Sequence, residues 1–275
     1  MAIVKRPKEE IKNKVAELGA EQPWHHNIKL PYGIFTCPDR IETPAKNIIK
    51  WSRLKPIISK IDLKGSKVLD VGCSEGYYSF EVSKMGVSEV IALDLNKLRL
   101  KKAEFVKDAL CIDNVIFKKA DIMDATKDDI GHFDLVLCFG FLHRFSDTFG
   151  LLKKLTDLSD IIALEWKIPR VYHNNLPIMA FATNYIHGCD EYNVSYWYPT
   201  ITCVIEMLNR LGFSYHYPVD DGFDKRVALV SGKKPIAIEN EIYKIKTKSV
   251  FSLVVKHTKI YLKTLCKIIS GKIQA

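Results

Sequence analysis

The sequence has seven cysteines but no C-x-x-C pair and no cysteine–histidine spacing of a zinc site, which excludes a metal-stapled scaffold. The thiols are therefore expected to be reduced, in a cytoplasmic compartment. No stretch is long and apolar enough to span a bilayer, and Met1 to Pro7 lacks the apolar run of a secretory leader. Internal repeats and low-complexity segments are absent. Acidic residues are missing from Lys244 to Ala275, where eight lysines stand without an arginine, so this tail carries +8 of the formal net charge of +9. Everything before it is nearly neutral. The chain thus lacks the broad basic footprint with which an enzyme grips folded RNA.

What is present suffices for one substantial α/β core, since 275 residues at 47% hydrophobic leave little for a second full domain. The run Lys67-Val68-Leu69-Asp70-Val71-Gly72-Cys73-Ser74-Glu75-Gly76 reads as a buried strand turning through two glycines into a helix. Its G-x-x-x-G spacing omits the middle glycine that lets a dinucleotide pyrophosphate touch the backbone, which points to a cofactor without phosphates. Asp70 can attract an amino group, and the helix beginning near Gly76 can receive a carboxylate at its amino end. Both suit the methionine moiety of S-adenosylmethionine (SAM).

Three further strand ends fall in the same order. Glu89 to Asp94 ends in an acid where a carboxylate can accept both ribose hydroxyls, with Leu95 beside it. Val115-Ile116-Phe117 leads to Asp121 and Ile122, a polar group and an apolar contact for an adenine. Phe133 to Gly140 ends at Phe139-Gly140, beside the first strand, where the sheet order should reverse. Helices are predicted over Pro7 to Leu18, Pro44 to Lys60, Tyr77 to Met85, Leu98 to Leu110, Thr148 to Leu158 and Thr200 to Leu211. A fifth strand, Asp160 to Trp166, and strands near Tyr215 and Val227 complete the sheet.

With this order of glycine turn and acidic strand ends, the chain resembles the class I SAM-dependent methyltransferases from about Gly65 to Gly232. That resemblance implies a Rossmann-like α/β fold, a seven-stranded mostly parallel sheet with helices on both faces and an antiparallel last strand, for which Lys225 to Val230 fits. It also implies SAM as cofactor, bound by Asp70, Gly72, Cys73, Gly76, Asp94, Leu95, Asp121, Ile122, Phe139 and Gly140. The segments Trp24 to Thr36, Phe141 to Ser146 and Asn193 to Pro199 are similar to the tRNA wobble-uridine methyltransferase-like family. Its best-known members transfer a carboxymethyl group from carboxy-SAM. By the alignment, two carboxy-SAM positions of that family, a lysine and a tyrosine, are here His26 and Leu142, whereas its arginine is kept as Arg226. Loss of the fixed cation and the hydroxyl donor favours ordinary SAM.

The domain expectation is an N-terminal helical extension on the acceptor side over 1–64 and a SAM-binding domain over 65–235 with an aromatic insertion over 167–199. A basic amphipathic tail follows over 236–275. Within the insertion, Tyr172, His173, Tyr185, His187, Tyr192, Tyr196, Trp197 and Tyr198 could form an acceptor pocket or lid. In the tail, Lys256, Lys259, Lys263 and Lys267 recur at helical spacing beside Val254, Val255, Tyr261, Leu262, Leu265, Ile268 and Ile269. Such a helix can lie on the inner face of an anionic membrane or pack with its lysines in solvent.

His143 is the expected general base or else a hydrogen-bond partner of the Arg144-Phe145-Ser146 loop, and Glu165 is expected to orient it, bind substrate hydroxyls or form a structural salt bridge. Substrate-side candidates are Trp24, His25, His26, Arg144, Tyr196 and Arg226. The adjacent His25 and His26 lack other ligands, so no metal is predicted. The reading is O-methylation of a small-molecule, glycan or lipid-linked saccharide acceptor. Its alternatives are methyl or carboxymethyl transfer to a tRNA wobble uridine, and a non-catalytic SAM-binding protein.

Overall fold

The computed structural model describes residues 6–38, 46–169, 176–181, 196–220 and 225–236. The backbone divides into Met1–Ile242 and Tyr243–Ala275, and the second unit, with the expected basic helix, lies outside the described residues. So do Tyr172, His173, Tyr185, His187 and Tyr192 of the insertion.

Parallel strands alternate with helices as the apolar runs demand: β1 (Lys67–Val71), α3 (Tyr77–Ser83), β2 (Glu89–Asp94), α4 (Lys97–Leu110), β3 (Val115–Lys119), β4 (Leu135–Phe139), α6 (Thr148–Leu158) and β5 (Ile161–Lys167). Ahead of them stand α1 (Lys8–Glu21) and α2 (Lys46–Ile58), and a short α5 (Lys127–Ile130) precedes β4. The chain finishes with a hairpin of β6 (Met179–Phe181) and β7 (Trp197–Pro199), then α7 (Ile201–Arg210), β8 (Tyr215–Val219) and β9 (Arg226–Gly232). The seven-stranded sheet runs β3-β2-β1-β4-β5-β9-β8, and β9 alone is antiparallel to both neighbours. Among the described residues no helix is long and apolar enough to cross a membrane.

The two-residue period of the strands feeds two cores. Val68 of β1 and Leu135 and Leu137 of β4 join Trp51, Leu54, Phe80 and Val106 on one face of the sheet. Leu69, Val71, Val136 and Cys138 join Leu151, Leu155, Val204 and Leu208 on the other. The N-terminal stretch shares the first core through Ile11, Leu18, Trp24, Ile28 and Leu30. Helix starts are set locally: Asn96 accepts from the Leu98 and Arg99 amides, and Asp147 and Thr200 cap α6 and α7 the same way. The small α5, which periodicity did not reveal, is held by a capping box between Thr126 and Asp129.

Candidate active site

The carboxyl ends of β1 to β4 open into a cavity of about 290 Å³, roofed by His25, His26 and the first turn of α2. It lies where β1 and β4 are neighbours and the sheet order reverses, which is where open α/β sheets bind ligands.

On the cofactor side, Gly72 has a φ of +70° and a Cβ there would fall 2.8 Å from the Phe141 ring, so conformation and space both require glycine. Ser74 occupies the place of the missing middle glycine and still adopts a left-handed φ of 53°. Its amide donates to Asp94 Oδ2 at 2.8 Å, while its buried hydroxyl has no partner among the described residues and lines the cavity. Asp94 Oδ1 accepts from the Asn96 amide at 2.9 Å, and the carboxylate keeps further acceptor capacity. Asp121 is anchored alike through the Met123 amide. Gly72, Asp94, Leu95, Asp121, Ile122, Phe139 and Gly140 all line the cavity.

Three expected cofactor residues do not. Asp70 follows Val68 onto the face of β1 covered by α3, where it accepts from Ser79 Oγ at 2.6 Å. Burial there lifts its pKa to about 7, against the pull of the Ser79 hydrogen bond. Cys73 is fully buried in the core, which pushes its thiol pKa up. Gly76 serves packing, since a Cβ would fall 2.7 Å from the Phe117 ring.

The roof is held by a residue that the sequence did not single out. Glu75 is buried and accepts the His25 amide at 2.9 Å and the His26 amide at 2.5 Å. Lys102 Nζ lies 3.5 Å from it, donates to the Gln22 carbonyl at 2.6 Å, and stands over the Trp24 ring. Thr36 and Asn47 complete the brace: Thr36 Oγ1 donates to the His26 carbonyl and accepts the Ile28 amide, and Asn47 pairs with the Asn27 backbone. His26 is thereby fixed facing the cavity, and burial drives its pKa well below the usual imidazole range. Trp24 is a structural correction: its indole donates to the Val15 carbonyl and does not reach the cavity.

On the acceptor side, His143 sits in a short 3₁₀ turn, Leu142–Arg144, with its backbone carbonyl accepting the Tyr196 amide. The imidazole is buried, and its Nδ1 has no partner among the described residues. Burial first, then the charges of Arg226, Arg144, Lys167 and Lys50, hold its pKa well below the ordinary value. It is therefore neutral at pH 7 and able to accept a proton. Tyr196 itself does not line the cavity.

Glu165 forms the structural salt bridge that was one of its expected roles. It lies fully buried on β5, paired with Arg226 Nε, with Arg226 Nη2 at 2.9 Å and with Lys50 Nζ at 3.3 Å. These two cations keep its pKa below the usual carboxylate range despite burial. It positions cations and does not face His143 as a hydrogen-bond partner. Arg226 faces the cavity from β9, and His25 and Arg144 line it as expected. Lys46, Lys50, Arg99 and Lys167 also line it. Their only sequence signal is the i,i+4 spacing of Lys46 and Lys50 on one face of α2.

Residues 62–180 match the family described as "Methyltransferase domain". The chain is 31% identical over 147 residues to a tRNA U34 carboxymethyltransferase of Campylobacter lari, covering 54% of this chain and 46% of that protein. It is 34% identical over 131 residues to a tRNA U34 carboxymethyltransferase of Pseudomonas fluorescens, covering 47% and 38%. The chain spans about half the length or less of these relatives. Among solved structures, the N-terminal domain of EvdMO1 with SAH bound superposes with a TM-score of 0.63 at 19% identity, over 84% of this chain and 98% of that one. Magnesium protoporphyrin IX methyltransferase of Synechocystis PCC 6803 with bound SAM gives 0.54 at 15% identity, over 85% and 100%. The fold is that of the class I SAM-dependent methyltransferases, and the chain is similar in sequence to the tRNA U34 enzymes.

Proposed function

We propose that this chain is a SAM-dependent methyltransferase acting on an oxygen acceptor, and the observation that carries it is the cavity's pairing of Asp94, Asp121 and Gly72 with a neutral, buried His143. The residues fit the cofactor: Asp94 would accept the ribose hydroxyls, Ile122 and Asp121 would hold the adenine, and the Gly72–Ser74 turn would receive the methionine moiety. When bound, SAM supplies an electrophilic methyl group. His143, which lines the cavity, would take the acceptor hydroxyl's proton as the oxygen–carbon bond forms and the methyl–sulfonium bond breaks, leaving the thioether, and the brace through Glu75 keeps His26 against the same space. Because His143 stays unprotonated near pH 7, no prior deprotonation of the base is needed, at the expense of its basicity.

For the acceptor, we favour a small molecule, glycan or lipid-linked saccharide, because Leu142 and His26 replace the tyrosine and lysine of the carboxy-SAM site and Arg226 is engaged by Glu165. A second reading, carboxymethyl transfer to a tRNA wobble uridine, is supported by the names of the relatives at 31% and 34% identity. Labelled SAM and carboxy-SAM offered with separated RNA, glycan, lipid and small-molecule fractions tests both. Label in tRNA alone would establish the second. Slow turnover with every fraction would favour a SAM-binding protein without catalysis. For the basic tail we propose contact with an anionic, cytoplasmic membrane face, and equal liposome binding with and without residues 244–275 would remove that proposal.

A further inference from the structure

Ser74 and Glu75 are neighbours in the chain, yet each is held by a different part of the molecule. The Ser74 amide donates to Asp94 Oδ2 at the end of β2, at 2.8 Å, and Ser74 lines the cavity beside Gly72. Glu75 does not line it and instead accepts the amides of His25 at 2.9 Å and His26 at 2.5 Å. The backbone between these two attachments is strained. Ser74 has a φ of 53°, a left-handed conformation that a residue with a Cβ keeps only where its surroundings hold it.

The roof end of this link is tied as firmly. Glu75 is 1% exposed and Lys102 0%, and Lys102 Nζ joins the carboxylate to the Gln22 and Pro23 carbonyls just ahead of His25. Such a pair keeps its geometry, since releasing either partner leaves a charge buried and unpaired. On the far side of His26, Thr36 Oγ1 donates to the His26 carbonyl at 2.6 Å and accepts the Ile28 amide at 2.9 Å. Thr36 is buried and does not line the cavity. A movement of the Gly72–Ser74 turn therefore carries Glu75 with it, and with Glu75 the two histidines of the roof.

We propose that Glu75 is a positioning residue that couples the cofactor to the roof: a ligand on Asp94 and Gly72 fixes the Ser74 turn, Glu75 then holds His25 and His26 in place, and the acceptor binds second. This rests on the SAM-binding reading. The ribose is expected on Asp94, whose carboxylate already accepts the Ser74 amide, so the ligand and the strained turn stabilise each other. Coupling between binding free energies is reciprocal, so the closed roof strengthens cofactor binding by the same factor with which the cofactor closes the roof. It is readable without any acceptor.

The test uses the full chain and SAH, in calorimetry and in hydrogen exchange of the peptide spanning residues 22–38. SAH binding by the wild type is measured first, and its absence would sink the cofactor assignment itself. Saturating SAH should slow exchange of the roof peptide about fivefold or more beyond any slowing in α7, Ile201–Arg210, which controls for global stabilisation. Thr36→Val, which loosens the roof without touching the cavity lining, should weaken SAH about fivefold, whereas Thr36→Ser keeps the hydroxyl and should bind SAH as the wild type does. Glu75→Gln, which keeps one acceptor, should lose most of the SAH-induced protection of residues 22–38. Lys102→Met asks the same question from the other side of the carboxylate should Glu75→Gln fail to fold. Roof protection no greater than that of α7 overturns the coupling, as does SAH affinity unchanged by Thr36→Val. Full protection persisting in Glu75→Gln or Lys102→Met overturns the role given to Glu75.

Discussion

Replacing Glu75 by alanine should loosen the roof of the cavity more than any other single change outside the core. The carboxylate receives two backbone amides, a part-buried one from His25 at 2.9 Å and a buried one from His26 at 2.5 Å, and faces Lys102 at 3.5 Å. A hydrogen bond to a charged group contributes about 1.5–3 kcal/mol, so losing two costs about 3–6 kcal/mol. Lys102 keeps the Gln22 and Pro23 carbonyls, which limits its own penalty. Glu75→Gln retains one acceptor and the side-chain volume, and should cost about half as much. Urea unfolding at pH 7.5 reads the global loss, and the rate of tryptic cleavage after Lys29 reads local release of the roof. If Glu75→Ala unfolds within about 0.5 kcal/mol of wild type and Lys29 is cut no faster, the brace is not what holds His25 and His26.

Asp70 gives a test with a defined sign. Its folded pKa of about 7 exceeds the unfolded value of about 3.9, so the native state binds more protons between them and stability falls as pH rises through that window. Asp70→Asn, which keeps an acceptor for Ser79, should match wild type near pH 4 and exceed it by up to about 4 kcal/mol at pH 8; an unchanged difference across pH would refute this. His143→Gln should lower kcat about 100-fold or more with SAM affinity intact. Because His143 titrates below the ordinary imidazole range, the acid limb of kcat/KM in the wild type should lie below about pH 6.5; a limb above that point that disappears in His143→Gln would contradict it. Asp94→Ala should weaken SAM by about two orders of magnitude in calorimetry, since two charge-assisted hydrogen bonds are lost. Unchanged affinity would remove the cofactor assignment.

The strand ends were legible because local pattern sets them: the apolar runs of β1, β2 and β4 break at Gly72, Asp94 and Gly140, and those residues do line the cavity. Asp70 was misplaced because alternation along β1, not proximity to the glycine turn, decides which face a side chain takes, and Asp70 shares its face with Val68. The salt bridge of Glu165 was legible as one of its roles, but its partners Arg226 and Lys50 were not, being far off in sequence and brought near only by the β5–β9 pairing and the packing of α2. Glu75 stood inside the most informative motif of the chain, yet its function is to hold a segment about fifty residues earlier, and spacing carries no sign of such a contact.

The position of Arg226 also bears on how the chain is made. Glu165 enters the sheet on β5, but its strongest partner arrives on β9, after the whole insertion has been synthesised. Until β9 inserts between β5 and β8, the carboxylate has no guanidinium to meet and is better left hydrated than buried. Closure of the sheet and pairing of Glu165 with Arg226 are therefore one event. A nascent or truncated chain that ends before β9 would carry all of the expected cofactor residues and still lack Arg226, so the lining of the cavity would be complete only with the last strand.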